Sequence, residues 1–136
     1  MDNSESRLQE VFFYGLYMDP EILKFKGVEP RNPRIAAVKG YKLRIGNMAT
    51  LLRSENSEAT GIVYSVTHAD IDTLYSKSGL EMYVSEAIMV TLSTGETLAT
   101  LTCNLLVPPE EHESNPEYRE KLKLCMEKLT VPTSNA

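Results

Sequence analysis

The feature that most constrains this chain is a crowded succession of short β-type runs with little between them. Val11–Gly15, Arg34–Val38, Tyr41–Ile45, Met48–Leu52, Thr60–Val66, Val84–Leu92 and Leu98–Val107 are rich in β-branched and aromatic residues. Glycines and polar turn residues bound them. The last two flank Ser93-Thr94-Gly95-Glu96, a strong hairpin signal. Gly40 separates two of the runs, Gly46-Asn47 marks a turn, and the polar stretch Arg53–Glu58 reads as a loop. Short strands close in sequence pair with near neighbours. The expected class is α+β: a small mixed β-barrel of short strands, partly closed, with flanking helices. An open five-stranded sheet is the alternative that composition leaves standing.

Three helix starts interrupt the strands. Asp19-Pro20-Glu21 supplies an N-cap, a proline suited to the first turn and a carboxylate that complements the positive helix end, with Gly27 as a stop. Thr67-His68-Ala69-Asp70 is a weaker form of the capping box, and Ile71, Leu74 and Tyr75 then share one face, with Ser78-Gly79 as the end signal. Asn115-Pro116 repeats the cap-plus-proline device before Tyr118, Leu122, Cys125 and Leu129 at helical spacing. The 136 residues suit one core, so residues 1–8 are expected to form a mobile tail and residues 9–130 a single domain.

Charge and composition exclude several function classes. The net charge of -5 and pI near 5.1 argue against a nucleic-acid partner. No apolar run reaches the roughly 20 residues of a membrane span. The polar start, Met1–Glu10, is not a secretory signal. Cys103 and Cys125, the only cysteines, form no CxxC and read as small buried apolar side chains in a reducing, cytoplasmic setting. His68 and His112 have no Cys or His partner at metal-ligand spacing, so neither a metal nor a cofactor is expected. Phosphate-binding glycine loops and a GxSxG elbow are lacking as well. The oligomeric state is not legible.

What remains is Phe12-Phe13-Tyr14-Gly15-Leu16-Tyr17-Met18-Asp19, a buried strand that runs through a glycine into a helix start. Gly15 lets the backbone bend where a side chain would obstruct. The amides of Leu16, Tyr17 and Met18 then converge on a hollow beside a helix N-terminus, which suits a carboxylate or another anion. A plain strand-to-helix connection is the competing reading.

Tyr14-Gly15-x-x-Met18 resembles the Tyr-Gly turn of the γ-glutamylcyclotransferase and AIG2-like superfamily. The likeness continues in order through Val38–Asn47 (a Gly-Tyr-Lys/Arg-Leu strand), Ala59–Tyr64, Asp70–Leu74 and Tyr83. The resemblance implies a small barrel with flanking helices and a cavity at its mouth. It also implies release of 5-oxoproline from γ-glutamyl amines, in which the substrate's own α-amine attacks its γ-carbonyl. The enzyme then needs only to fold the substrate into reactive geometry and to move a proton. Tyr14, Gly15, Leu16, Tyr17, Met18 and Tyr83 are the substrate-binding residues carried over, with a small γ-glutamyl or carboxylate ligand as the partner.

The chain departs from the pattern at the proton carrier. The family's glutamate follows the leucine matched by Leu74, and here the order is Leu74-Tyr75-Ser76-Lys77-Ser78-Gly79-Leu80. Lys77 or Ser78 takes the glutamate's place, and neither is a base at neutral pH; an ordinary lysine titrates near roughly 10.4. Leu16 replaces a Ser or Thr, and Cys103 replaces a frequent Tyr, although Asn104 agrees. Glu81, two residues before Tyr83, is the candidate catalytic carboxylate, against the plainer reading of a solvated loop glutamate; Glu86 carries less weight. A cyclotransferase with a relocated acid/base group therefore stands beside a non-catalytic binding module and an enzyme of other chemistry on the same fold.

Overall fold

A computed structural model describes residues 7–76, 80 and 82–132. Five strands close into a barrel: β1 (Leu8–Phe13), β2 (Arg31–Ile45), β3 (Ala49–Thr67), β4 (Tyr83–Leu92) and β5 (Thr97–Leu105). Their order around the barrel is β1-β3-β2-β4-β5. β1 pairs antiparallel with β3 and parallel with β5, the latter through Val11 and Leu101. Three helices flank it, α1 (Pro20–Phe25), α2 (His68–Tyr75) and α3 (Pro116–Leu129), with a one-turn 3₁₀ helix, Leu16–Met18, between β1 and α1. The expected mixed barrel is present, and it is closed.

Two strands are long where short ones are expected. Gly40 does not end a strand: it adopts φ 84 inside β2 and lets the chain pass a bulge. Opposite it the ladder skips from Tyr41↔Arg53 to Lys39↔Glu58. The intervening polar residues form an excursion within β3, with Asn56 at φ 64 and the Ser54 and Ser57 hydroxyls 2.8 Å apart. β2 and β3 thus make one long hairpin whose tip, Gly46–Met48, closes with a Gly46 amide to Met48 carbonyl bond of 3.1 Å. Polarity marked residues 53–58 as a loop, but a strand face turned to water is polar too.

The three helix starts fold as their sequences dictate. Asp19 accepts from the Glu21 amide, Thr67 and Asp70 form a complete capping box, and Asn115 accepts from the Tyr118 amide. α2 ends at Tyr75, capped at Ser76; the expected stop at Ser78-Gly79 lies outside the described residues. Leu8 is already paired with Thr67, so the first strand begins earlier than the run Val11–Gly15 indicates. Phe12, Met18, Leu23, Val38, Val63, Val66, Leu74 and Val90 lie in the buried core, which Leu122, Cys125 and Met126 of α3 complete. Cys103 and Cys125 are both buried free thiols. Among the described residues, no helix is long and apolar enough to cross a membrane, and no group of three or more His, Cys, Asp or Glu could hold a metal.

Candidate ligand cavity at the barrel mouth

A cavity of about 250 Å³ opens where β1 gives way to the 3₁₀ turn. Phe12, Phe13 and Tyr14 reach it from β1, and Gly15, Leu16 and Tyr17 from the turn. Asn47 and Met48 come from the hairpin tip, Ala49 from the start of β3, Tyr75 from the end of α2, Leu80 from the segment before β4, Tyr83 from the start of β4, and Tyr118 from α3. Its size suits a small metabolite rather than a drug-sized ligand. Five of the chain's seven tyrosines line it, and no described lining residue carries a charge at neutral pH.

The turn is held from several sides. Tyr64 donates to the Met18 carbonyl at 2.7 Å, and Tyr17 donates to the Leu74 carbonyl at 3.0 Å, which ties the turn to α2. The Tyr118 hydroxyl accepts from the Leu16 amide at 3.3 Å. That same hydroxyl lies where a Cβ on Gly15 would come within 2.5 Å of it. Gly15 has an ordinary extended backbone (φ -114), so the requirement for glycine is close approach, not a left-handed conformation.

Of the three amides expected to converge, Met18 does not contribute. One turn of 3₁₀ helix closes an i to i+3 bond, and the Met18 amide donates to the Gly15 carbonyl at 3.0 Å. The Met18 side chain is fully buried and is not part of the lining. The Tyr17 amide has no partner among the described residues. The Leu16 amide meets only the long bond to Tyr118. Leu16 and Tyr17 both belong to the lining, and the Tyr118 hydroxyl, which accepts from the Leu16 amide, donates to no described residue. Tyr118 was read only as part of a helix face in the sequence; its placement over Gly15 comes from α3 crossing the turn, 102 residues away in the chain.

The remaining tyrosines point their protons elsewhere. Tyr14 donates to the Cys103 carbonyl and Tyr83 to the Ala49 carbonyl. Burial pushes the phenols of Tyr14, Tyr17, Tyr75, Tyr83 and Tyr118 above their ordinary value, so all five stay protonated at neutral pH. The Cys103 thiol is also pushed up by burial, and its sulfur lies 4.0 Å from the Ser85 hydroxyl. The cavity wall is stitched by Asn104. Its Oδ1 accepts from the Leu51 amide at 3.3 Å, and Thr50 accepts from the Leu105 amide at 2.9 Å. These bonds join β3 to β5 beyond the point where β1 ends. Glu86 shares a strand face with the buried Ile88 and Val90, takes a 3.3 Å bond from Asn104 Nδ2, and does not line the cavity. Lys77, Ser78 and Glu81 lie outside the described residues.

Solved structures share this architecture. A γ-glutamyl cyclotransferase superposes with a TM-score of 0.78 at 18% identity, over 93% of this chain and 82% of that one. A human protein described as uncharacterized gives 0.76 at 19%, over 95% and 83%. A yeast γ-glutamyl cyclotransferase specific to glutathione gives 0.64 at 14%, over 93% and 90%. At these identities the likeness defines the fold. No curated protein sequence matches. The family model "Gamma-glutamyl cyclotransferase, AIG2-like" matches residues 11–123, and the chain belongs to that family.

Proposed function

We propose that the cavity beside Gly15 seats a small γ-glutamyl or related carboxylate compound. One observation carries this reading: Leu16, Tyr17 and Tyr118, which supply two main-chain amides and a hydroxyl, line a small hollow whose described residues carry no charge. Donors held in place by the fold need no reorganisation when an anion arrives, and each hydrogen bond to a charged group is worth about 1.5–3 kcal/mol. The carboxylate sits on the turn, and the aromatic lining surrounds the rest of the molecule. A cytoplasmic location and a small-molecule partner belong to the same reading.

Two outcomes follow for turnover. Family membership supports release of 5-oxoproline by intramolecular attack; in this reading Glu81, outside the family's usual position, is the carboxylate assigned to carry the proton. The described lining supports retention without turnover, because its only titratable groups are phenols that stay protonated at neutral pH. The deciding assay incubates the protein with γ-glutamyl amino acids, glutathione and γ-glutamyl-ε-lysine. 5-Oxoproline that falls by about 10²–10⁴ in Glu81→Gln establishes the enzyme. Ligand-dependent thermal stabilisation with no product establishes the binding module. Neither product nor stabilisation defeats the proposal.

A further inference from the structure

We propose that Asn115 is a positioning residue for the cavity: its one side chain ties the start of α3 to the tip of the β2–β3 hairpin and so sets the distance between two cavity walls. The inference rests on the reading that the cavity seats a small carboxylate compound, and it names what holds that cavity to shape.

Both tied elements supply lining residues. Asn47 and Met48 come from the hairpin tip, and Tyr118 from the first turn of α3. Asn115 Oδ1 accepts from the Tyr118 amide at 3.1 Å. Its Nδ2 donates to the Gly46 carbonyl at 3.0 Å, across 69 residues of chain. A main-chain N–H can only donate and a carbonyl can only accept, so one orientation of the side-chain amide satisfies both. The Gly46 amide is engaged as well, with the Met48 carbonyl at 3.1 Å. Both backbone polar groups of Gly46 are therefore fixed, and with them the turn that carries Asn47 and Met48.

A helix cap alone does not call for this residue. Asn, Asp and Ser cap about equally well. Of the three, only Asn carries its donor on a different atom from its acceptor, and here each atom holds a different wall. The other contacts between tip and α3 approach are weaker. Arg44 donates to the Pro109 carbonyl at 3.3 Å and pairs with Glu111 at 3.5 Å. The Glu111 side chain is 87% exposed, and such pairs contribute little. Gly46 itself sits so close to Pro109 that a Cβ there would lie 2.5 Å from the proline Cβ. That contact blocks approach but does not resist separation. Cutting the Asn115 bond therefore leaves the tip free to move away from α3 against only the Arg44 contacts.

The test separates the cap from the tie in the whole chain. Asn115→Asp and Asn115→Ser keep an acceptor for the Tyr118 amide and lose the bond to Gly46, whereas Asn115→Ala loses both. Melting temperature is expected to fall by about 4 °C in Asn115→Ala and little in the other two. Access to the cavity is read without any ligand by acrylamide quenching of tyrosine fluorescence, because the chain has no tryptophan and five of its seven tyrosines line the cavity. Quenching should be stronger than wild type in all three variants. Affinity for glutathione, from calorimetric titration, should fall about three- to tenfold in all three. Wild-type quenching and affinity in folded Asn115→Asp and Asn115→Ser, with losses confined to Asn115→Ala, reduce Asn115 to a helix cap and overturn the inference. If the wild-type chain binds neither glutathione nor another γ-glutamyl compound, the cavity reading fails, and quenching alone decides the tie.

Discussion

Two depressions of the barrel differ sharply in character. The larger, about 580 Å³, is lined by Ile35, Ala37, Lys39, Glu58, Thr60, Thr91, Ser93 and Pro132 among others. The smaller, about 250 Å³, lies at the Gly15 turn. In the larger, charged and hydroxyl side chains of β2, β3 and the β4–β5 hairpin stand beside each other, and Thr60 bonds to the Pro132 carbonyl. In the smaller, strand ends, a helical turn, a hairpin tip and two helices bring the Gly15 turn and five tyrosines into one lining. Volume does not make a site; convergence of fixed polar groups within an apolar lining does. The difference arises from topology. β1 ends at Phe13, and β3 and β5 continue past it, joined by Asn104 and Thr50. The mouth forms where the barrel loses a strand.

The largest break in this comparison is Gly15→Ala. The new Cβ would lie within 2.5 Å of the Tyr118 hydroxyl. The ring or the turn must move, and the Leu16 amide and Tyr118 donors separate. Loss of two charge-assisted bonds, about 3 kcal/mol together, lowers affinity for a γ-glutamyl ligand roughly a hundredfold. Calorimetric titration checks it. Lys39→Ala, in the larger depression, is the matched control and leaves affinity unchanged; an equal loss there would erase the distinction between the two hollows.

Tyr118→Phe sharpens the same contrast with a smaller effect. It keeps the ring against α3 and the turn, removes the acceptor of the Leu16 amide, and removes one donor from the cavity. The expected loss is about 1.5 kcal/mol, roughly tenfold in affinity. A hydroxyl deleted from a ring that stays packed changes melting temperature little. Unchanged affinity would show that the ligand never meets Tyr118.

Much of this was legible in the sequence, and the exceptions have physical causes. The caps at Asp19, Thr67 and Asn115 are local devices, so their residues announce them. The turn at Gly15 and the hairpin at Gly95 are local as well. Gly40 and the run 53–58 misled because a bulge and a solvent-facing strand share the composition of a loop. Tyr14, Gly15, Leu16, Tyr17 and Tyr83 share one lining, while Met18 is buried in the core and its amide closes the 3₁₀ turn. In the sequence, Tyr75 and Tyr118 belong to helix faces. A helical pattern reports that a side chain is covered, not whether core or cavity covers it, and only the packing of α2 and α3 onto the turn separates the two.

The weakest expected effect is that of pH, and it is set by the same tyrosines. Burial raises all five lining phenols, as it raises Tyr64, pushed up to about 12. A phenol whose pKa is raised in the folded chain holds its proton more tightly there than in the unfolded chain. The stability it contributes is complete below its unfolded value near 10 and is lost as pH rises past it. Affinity for a carboxylate ligand should therefore change less than about twofold between pH 6 and 8, since no described lining group titrates in that range. Melting temperature should hold from pH 7 to 9 and fall above 10. Phenolate absorbance, read in a chain without tryptophan, should rise together with unfolding rather than before it. A lining tyrosine that ionises near pH 8 in the folded protein would supply the base that the described cavity lacks, and would move the balance from retention to turnover.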